Sequence, residues 1–391
     1  MHIITQFAII TILLVSSTVS AAKKKALPLT PLELTRASKT YQRELQKAQQ
    51  EQAQFAWQIG QTLPLYPTFF TTSFPQTRND LAYRIWNAQQ RPLPLRLKNL
   101  GYICSFNALT QVLWRLAPLN FALIRSKKEE RTPLIEAYLE SIATKNAAPR
   151  TSEASMDVKN LIDILNAIYQ KKIGDETKQL ADPFEIWQLF TEQCPGNVQE
   201  LFNIATQESV YCPTPQHEKN IHIIPYPYVS IPVVSQQPNN LQDMLNDALN
   251  KGITEQVGIQ CTAVAGNKKL CGLQKYKTSK VYDYPPTILV IHTGRSTGAK
   301  QDNKTPLLQD PIVFPLQGLT FGNQRYDLFG VVFHSGENAE DGHYYSWIRQ
   351  QNSWYYCSDE AIQKIDNPAG IQSHKETFVF FYLRKKDDNT P

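Results

Sequence analysis

The sequence lacks three features that would each assign it to a class of proteins. It has six cysteines among 391 residues, too few for the dense disulfide framework of a small secreted module. After the first 21 residues, no run reaches the roughly 20 apolar residues of a membrane-spanning helix. No basic block with interleaved aromatic residues indicates a nucleic-acid-binding surface. We therefore expect a chain that binds neither nucleic acid nor, once mature, a membrane.

What is present is typical of a globular protein. The composition is 42% hydrophobic and 19% charged, and 40 basic residues against 35 acidic ones give a formal net charge of +5. The length suits one large domain or two smaller ones with a substantial core, and no internal repeat is visible. We expect a monomer.

The N-terminus has the pattern of a targeting segment. The apolar run from Phe7 to Val15 is too short to cross a bilayer, and the small residues Val19 and Ala21 fit a signal-peptidase site. Residues 1–21 are thus predicted to be a signal peptide, and the mature chain is expected to begin near Ala22. The segment before the apolar run has no Lys or Arg, so an uncleaved membrane anchor is the alternative.

Residues 22–92 are predicted to form a helical extension followed by a linker. Apolar residues recur near helical spacing from Pro31 to about Ile59, and Thr30 before a proline suits a helix start. This extension either packs on the main domain or binds a partner. The proline-rich stretch PLYPTFFTTSFPQ predicts the linker.

The rest of the chain changes character along its length. Helical patterns dominate from about Leu93 to about Phe202 and include SMDVKNLIDILNAIYQ and DPFEIWQLFTEQC. The later runs have the composition of strands: NIHIIPYPYVSIPVV, PPTILVIHTG, YDLFGVVFHSG, HYYSWIRQ, WYYCSD and TFVFFYLRKK. Helices first and mostly antiparallel strands later predict an α+β fold. Residues 387–391 form a polar tail.

One cysteine stands where a thiolate would be favoured. In LKNLGYICSFNALTQVLW, Gly101 permits a tight turn, and Cys104 begins a run with helical spacing. The helix dipole and a nearby imidazolium both lower the pKa of a cysteine, and the thiolate is the nucleophile. A buried structural cysteine is the alternative. The predicted apolar face of this helix consists of Phe106, Leu109, Val112 and Leu113.

A thiol nucleophile needs an imidazole to accept its proton and a third polar group to orient that imidazole. In HSGENAEDGHYYSWIRQQNSWYYCSDE, His343 opens a β-patterned run, and a second such run ends at Asp359. Two antiparallel strands joined by a short turn would bring these positions side by side. The other candidate histidines, His292 and His374, are interpreted as ordinary hydrogen-bonded side chains.

These segments resemble the two boxes of the ubiquitin-specific protease family. The cysteine box of that family is matched at Asn99, Gly101, Cys104, Asn107 and Gln111. Its histidine box is matched at Tyr326, Leu328, His334, Gly336, Gly342, His343, Tyr344 and Trp354. Weaker similarities lie in PPTILVIHTGR, TFVFFYLRK and LADPFEIWQLF, so the resemblance extends from about Leu93 to Lys385.

The resemblance implies a papain-like cysteine protease core over residues 93–386, with a helical thumb and an antiparallel-sheet palm and fingers. It implies cleavage of the bond after the C-terminal Gly-Gly of ubiquitin, without a cofactor. Cys104 would be the nucleophile, His343 the base, and Asn99 a donor to the oxyanion of the tetrahedral intermediate. Asn99 would alternatively, or also, cap the turn before the helix.

Four further residues are implied in substrate binding. Gly342 and Tyr344 would line a narrow channel for the Gly-Gly tail, and Asp182 and Glu185 would meet the basic tail of ubiquitin. On the residues alone, the two carboxylates are equally well explained as solvated helix charges.

The third member of the triad departs from the family pattern. The usual Asp or Asn is replaced by Ser358, and Asp359 matches the second residue of the pair. A serine accepts a hydrogen bond from imidazole but does not stabilise imidazolium as a carboxylate does. We therefore expect Asp359 to orient His343 with assistance from Ser358; an impaired triad is the alternative.

The zinc-binding Cys-x-x-Cys pairs often found in the fingers of the family are missing. Pro215 stands three residues after Cys212, and Val264 three residues after Cys261. We therefore expect no metal site. Together with Cys271, these cysteines are predicted to be plain core residues, or else to form a bridge between finger strands.

Three functions are consistent with the sequence: a deubiquitinating protease, a catalytically weak ubiquitin-binding module, and a protease for a ubiquitin-like modifier. The signal peptide adds a constraint, since ubiquitin is a cytosolic and nuclear protein of eukaryotes. An effector exported by a bacterium and acting in the cytosol of a eukaryotic host would explain both the signal peptide and a cytosolic substrate.

Overall fold

The structure is a computed structural model that describes residues 94–144, 155–156, 158–169, 181–214, 217, 219–237, 239–263, 271–282, 285–297, 304–368 and 372–385. The predicted signal peptide, the N-terminal extension with its linker, and the polar tail lie outside these residues. No helix of the described part is long and apolar enough to cross a membrane.

The helices of the described part precede most of its strands. They are α1 (Cys104–Leu113), α2 (Ala117–Arg125), α3 (Pro133–Thr144), α4 (Lys159–Tyr169), α5 (Pro183–Glu192), α6 (Gly196–Gln199) and α7 (Leu241–Asn250), with a short 3₁₀ helix at Lys128–Glu130. The helices predicted from the two quoted stretches are confirmed as α4 and α5. Helix α7 was not predicted; its N-cap is Asn240, whose side chain accepts hydrogen bonds from the N–H groups of Gln242 and Asp243.

The strands are β1 (Arg96–Leu97), β2 (Ser155–Met156), β3 (Ile204–Tyr211), β4 (Asn220–Tyr226), β5 (Val229–Pro232), β6 (Asn239–Asn240), β7 (Ile253–Gln260), β8 (Gln274–Val281), β9 (Ile288–Gly294), β10 (Ile312–Val313), β11 (Leu319–Phe321), β12 (Gln324–Ser335), β13 (His343–Gln350), β14 (Ser353–Ser358), β15 (Ala361–Ile365), β16 (Ser373–His374) and β17 (Thr377–Arg384). All six predicted runs contain strands, and the α+β class is confirmed.

The largest sheet carries the histidine-box strands. Its order is β15-β14-β13-β12-β17-β9-β5, with β11 paired to β12, and all its pairs are antiparallel except β5 with β9. A second, antiparallel sheet has the order β4-β3-β8-β7. Two small sheets, β1-β2 and β16-β10-β6, complete the described part.

The large sheet is covered on both faces, which explains its nearly continuous apolar strands. In β9 and β17, Val290 and Phe381 pack in the core that contains α1 to α5, whereas Leu289 and Phe380 pack in the core that contains α7. Adjacent residues of one strand therefore belong to two different cores.

Helix α1 is the centre of the first core. The four residues of the predicted apolar face are all buried, and the other six residues of the helix are buried as well. One of its buried polar side chains, that of Gln111, donates to the carbonyl of Leu95 and accepts from Arg115. The helix also lies close to β12, since a Cβ at Gly330 would stand 2.9 Å from a methyl group of Val112.

Candidate active site

Cys104 is the first residue of α1, as the sequence predicts. The chain reaches it through a tight turn in which Gly101 has φ +93° and Tyr102 has φ +52°. Glycine adopts such a left-handed conformation without steric cost, whereas the tyrosine pays one. The thiol of Cys104 is 2% exposed.

The expected lowering of the thiol pKa is not seen. Burial raises the pKa of Cys104, and the carboxylate of Asp359 raises it further. The backbone N–H of Tyr344, which donates to Sγ over 3.4 Å, acts in the opposite direction but does not prevail. The surroundings of the thiol therefore favour its neutral form more than water does.

His343 stands immediately before the residue that contacts the thiol. It begins β13, which pairs antiparallel with β14, and β14 ends at Ser358. The Nε2 atom of His343 lies 2.7 Å from Oγ of Ser358 and 4.0 Å from Oδ2 of Asp359. The order of contact is thus the reverse of the expected one: the serine is the direct partner and the carboxylate is more distant.

The carboxylate of Asp359 is instead held by two side-chain amides. Nδ2 of Asn99 donates to Oδ2 over 2.8 Å, and Nδ2 of Asn107 donates to Oδ1 over 2.7 Å. Asp359 follows β14 in a two-residue turn with φ +49°, and its carbonyl accepts from the N–H of Leu97. Backbone and side-chain contacts together fix this residue.

Asn99 is exposed just before the turn that leads to Cys104. Its Oδ1 accepts a hydrogen bond from the N–H of Gly101 over 3.0 Å, so the predicted capping of the turn is confirmed. Its amide has two hydrogens, and the bond to Asp359 uses one of them. The geometry leaves the capping and oxyanion-binding roles compatible.

Gly342, which precedes His343, is required by the local backbone. Its φ is +119°, and a Cβ there would clash with the carbonyl oxygen of Ser335 and lie 3.0 Å from Nε2 of His334. Any side chain would therefore displace the backbone next to His343. Its effect on the width of a substrate channel stays a prediction.

The loop at 336–342 is tied to the segment 304–310. Nζ of Lys304 lies 2.6 Å from Oδ2 of Asp341, and the backbone and hydroxyl of Thr305 both donate to the carboxylate of Glu340 over 2.8 Å. Farther along, the N–H of Leu307 donates to the carbonyl of Glu337. These contacts fix the loop that carries the chain into His343.

The remaining predicted substrate residues lie at the start of α5 and on β13. Asp182 is the N-cap of α5 and accepts from the N–H of Phe184 over 2.7 Å. Burial raises the pKa of the Tyr344 phenol, and the charges of Asp182 and Cys104 raise it further, so these residues are electrostatic neighbours. The Tyr344 ring is only 2% exposed. Glu185 lies in the first turn of α5, half-buried.

The family model described as ubiquitin carboxyl-terminal hydrolase matches residues 95–382, nearly three quarters of the chain. The chain belongs to this family. Similar curated proteins include ubiquitin carboxyl-terminal hydrolase 25 of Arabidopsis thaliana, 24% identical over 325 residues, which are 74% of this chain and 47% of that protein. Ubiquitin carboxyl-terminal hydrolase 4 of the same plant is 34% identical over 108 residues, 26% of this chain and 29% of that protein. The chain thus spans less than half the length of these relatives.

Among solved structures, the chain resembles the SAGA DUB module of Ubp8, Sgf11, Sus1 and Sgf73 bound to monoubiquitin. The match has a TM-score of 0.55 at 18% identity and covers 82% of this chain and 73% of that one. The same module bound to ubiquitin aldehyde matches with a TM-score of 0.53 at 17% identity, over 77% and 71% of the two chains. The predicted papain-like fold of the ubiquitin-specific protease type is thereby confirmed.

The sheet β4-β3-β8-β7 carries a second group of reactive side chains at one end. Cys212 follows β3, His217 lies between β3 and β4, Cys261 follows β7, and Cys271 shortly precedes β8. Because β3 and β8 are antiparallel neighbours, these ends meet, and the four ligand atoms lie within 4.8 Å of one another. The sequence predicted plain core cysteines and no metal site, whereas the structure gathers three of these cysteines and a histidine into one cluster that could hold an ion.

The donor set fits zinc. Three thiols and one imidazole nitrogen form a common structural zinc set, and Zn–S bonds of about 2.3 Å give S···S edges of about 3.8 Å in a tetrahedron. Sγ of Cys212 lies 3.7 Å from Sγ of Cys271, and Nδ1 of His217 lies 3.4 Å from Cys212 and 3.3 Å from Cys261. These residues would hold the ion, which would cross-link the ends of two hairpins. All of these cysteines are free, so the alternative bridge is not formed.

The sequence did not lead us to assign a role to two residues of the sites described above, Asn107 and His217. Asn107 was noted only as a match to the cysteine box, although its position three residues after Cys104 was the available signal. His217 was missed because the search assumed Cys-x-x-Cys pairs. A search for any histidine within five residues of a cysteine would have found it.

Proposed function

We propose that this chain is a deubiquitinating cysteine protease that hydrolyses the isopeptide or peptide bond after the C-terminal Gly-Gly of ubiquitin. The observation that carries the proposal is the contact between the Tyr344 N–H and Sγ of Cys104. It places the strand that begins with His343 against the nucleophile of a chain that matches the hydrolase family. The ubiquitin-bound state of the solved neighbours supports ubiquitin as the partner.

In the first step, His343 accepts the proton of the Cys104 thiol, and Sγ attacks the carbonyl carbon of the terminal glycine. Because burial raises the thiol pKa, the proton transfer and the attack depend on each other. The Ser358 hydroxyl accepts a hydrogen bond from Nε2–H of His343 and so holds the ring in the tautomer whose other nitrogen takes the proton. The free amide hydrogen of Asn99 stabilises the oxyanion.

Collapse of the tetrahedral intermediate then breaks the C–N bond. His343 returns the proton to the leaving amine, which departs, and a thioester joins Cys104 to ubiquitin. A water molecule that loses its proton to His343 attacks the thioester, and the thiol leaves with that proton. The ubiquitin carboxylate is released and the enzyme is restored.

We assign Asp182, Glu185, Gly342 and Tyr344 to the binding of the ubiquitin tail. Burial raises the pKa of the Tyr344 phenol and the charge of Asp182 raises it further, which supports this assignment. A negative charge there suits a basic tail. Glu185 adds a second negative charge within the same helical turn.

The direct test is reaction of the full chain with a ubiquitin probe that bears a C-terminal electrophile. We expect a covalent adduct of one ubiquitin per chain, abolished by Cys104→Ala and strongly slowed by His343→Ala. Cys194→Ala is the matched control, because it removes another buried cysteine outside this site and should leave the adduct intact. Probes built from ubiquitin-like modifiers run as competitors.

The outcomes separate the candidate functions. An adduct with a ubiquitin-like probe alone would change the substrate but keep the chemistry. Binding of ubiquitin by the folded wild type without any adduct would identify a catalytically weak binding module, and the replacement of a carboxylate by Ser358 would then be the first change to reverse. No binding and no adduct would refute the proposal.

We also propose that the protein is exported and acts in the cytosol of a eukaryotic host. The apolar segment of residues 1–21 and a substrate found in eukaryotic cytosol support this proposal. Fractionation of the producing cells, with N-terminal sequencing of the exported chain, tests it. A mature N-terminus near Ala22 is expected, whereas retention of the uncleaved chain in the producing cell would contradict export.

A further inference from the structure

The carboxylate of Asp359 makes its shortest contacts away from the imidazole. It lies 2.8 Å from Nδ2 of Asn99 and 2.7 Å from Nδ2 of Asn107, but 4.0 Å from Nε2 of His343. The imidazole has a nearer partner in Ser358, at 2.7 Å. The anion is therefore placed to orient an amide rather than the base.

Asn99 is fully oriented by this contact. Its Oδ1 accepts from the N–H of Gly101, and one hydrogen of its amide points to Asp359. An amide held at both its oxygen and one of its hydrogens directs the second hydrogen along a fixed line. That second hydrogen is the one which the proposed mechanism uses at the oxyanion.

Asn107 in turn fixes the anion. It is 1% exposed, and its amide hydrogens are committed to Oδ1 of Asp359 and to the carbonyl of Lys98, at 2.7 and 3.1 Å. The reverse orientation would set its oxygen against the carboxylate, so the assignment of donors is unambiguous. Its own Oδ1 is buried without a hydrogen-bond partner among the described residues. Such an oxygen destabilises a fold, which an apolar residue there would avoid.

We propose that Asn107 is a positioning residue that acts through Asp359 on Asn99, and that this relay orients the oxyanion donor while Ser358 orients His343. The inference rests on the proposed function, because it concerns the oxyanion of the same reaction. Two adjacent residues thus have different roles: Ser358 orients the base that takes the thiol proton, and Asp359 orients the donor to the oxyanion. Asn107 contacts neither the thiol nor the imidazole through any hydrogen bond in the described part of the chain.

The test combines turnover of a fluorogenic ubiquitin substrate with alkylation of Cys104 by iodoacetamide across a range of pH. Alkylation reports the thiol and the imidazole but forms no oxyanion and needs no ubiquitin. Asn107→Leu should lower kcat by about tenfold to hundredfold, less than the loss of an oxyanion donor itself, and leave KM within about twofold. Its alkylation profile should match that of the wild type, whereas Ser358→Ala should shift the profile.

Asn120→Leu is the matched control, because that amide is equally buried but, within the described residues, bonds to Leu113, Trp114 and Tyr138, away from the site. It should lower the melting temperature and leave kcat per folded molecule unchanged. If Asn107→Leu does not fold, Asn107→Thr, which keeps a hydrogen-bond donor, replaces it and should show a smaller loss of kcat. In an Asn99→Ala background, either substitution should have no further effect on kcat.

Three results would overturn the inference and leave the proposed function in place. An unchanged kcat in the Asn107 variants would exclude a positioning role. A shift of the alkylation profile like that of Ser358→Ala would show that the relay acts on His343 instead. Full additivity with Asn99→Ala would show that Asn107 acts elsewhere. A wild type that alkylates normally but never cleaves ubiquitin would refute the proposed function, and this inference with it.

Discussion

The zinc site offers a prediction that needs no substrate. His217 would supply the one nitrogen ligand, so His217→Ala would remove a donor and leave three thiols to hold the ion. The 3.7 Å separation of the Cys212 and Cys271 sulfurs matches the tetrahedral edge of about 3.8 Å, so binding requires little rearrangement. The purified wild-type chain should therefore contain about one zinc ion, measured by elemental analysis.

The stabilisation follows from mass action. At a free zinc concentration a thousandfold above the dissociation constant, the bound ion adds about 4 kcal/mol to the free energy of unfolding. For a domain of this size, losing that amount lowers the melting temperature by about 8 °C. We expect this decrease both on chelation and in His217→Ala. His222→Ala is the matched control, because that histidine is exposed on the neighbouring strand β4 and is not one of the four residues of the cluster.

Thiol counting gives a second measurement. Chelation should expose three further thiols to Ellman's reagent, those of Cys212, Cys261 and Cys271. The reasoning fails if the reduced chain neither contains nor takes up zinc, or if His217→Ala binds zinc as the wild type does. An intact mass about 2 Da below that of the reduced chain would instead identify a disulfide between two of these cysteines.

Three further predictions concern proton binding and the loop before the base. In His343→Ala, the rate of Cys104 alkylation should be low at neutral pH and rise only at pH values above the usual pKa range of cysteine, because burial raises the pKa of this thiol. A rate that rises at pH values below that range would contradict this prediction. Burial lowers the pKa of His292 to about 3 from 6.5, so the folded state binds fewer protons than the unfolded state between these pH values. The free energy of unfolding should therefore fall as the pH drops below 6.5, by about 2 kcal/mol at pH 5. Urea unfolding at pH 5 and 7 should show a smaller difference for His292→Gln than for the wild type, and equal differences would refute the assignment. The ion pair of Lys304 with Asp341 is about half exposed, so Lys304→Met should change kcat/KM less than about fivefold. The change should vanish at high salt, because salt screens exposed charges. An effect that persists at high salt would mean that the contribution of this contact is not electrostatic.

Patterns local in sequence correctly predicted the centre of the molecule. The buried strands β9, β12 and β17 are rich in β-branched and aromatic residues, and the helices α4 and α5 have apolar residues at helical spacing. The turn at Gly101 and the helix start at Cys104 were also predictable, because each depends on a few consecutive residues. Covalent neighbours determine such features.

The strands of the second sheet and helix α7 were harder to predict. Strands β3, β7 and β8 carry many polar residues, such as those of QKYKTSKV, and their side chains are mostly half-exposed, so no apolar alternation marks them. Helix α7 lies among runs with strand composition and is recognisable chiefly by its cap at Asn240. In both places, contacts with segments distant in sequence stabilise the strand or helix, although the residues of the segment itself only weakly prefer that conformation.

Sequence patterns predicted the class of the fold, which the structure confirms, the candidate nucleophile and base, and the adjacent pair Ser358 and Asp359. Three features depended on the tertiary structure instead: which of those two residues contacts His343, the rise that burial causes in the pKa of the Cys104 thiol, and the position of His217 beside three cysteines. Each of these depends on distances of a few ångströms between residues up to 260 positions apart in the chain. Hydrogen bonds and desolvation respond to such distances, and residue types alone do not encode them.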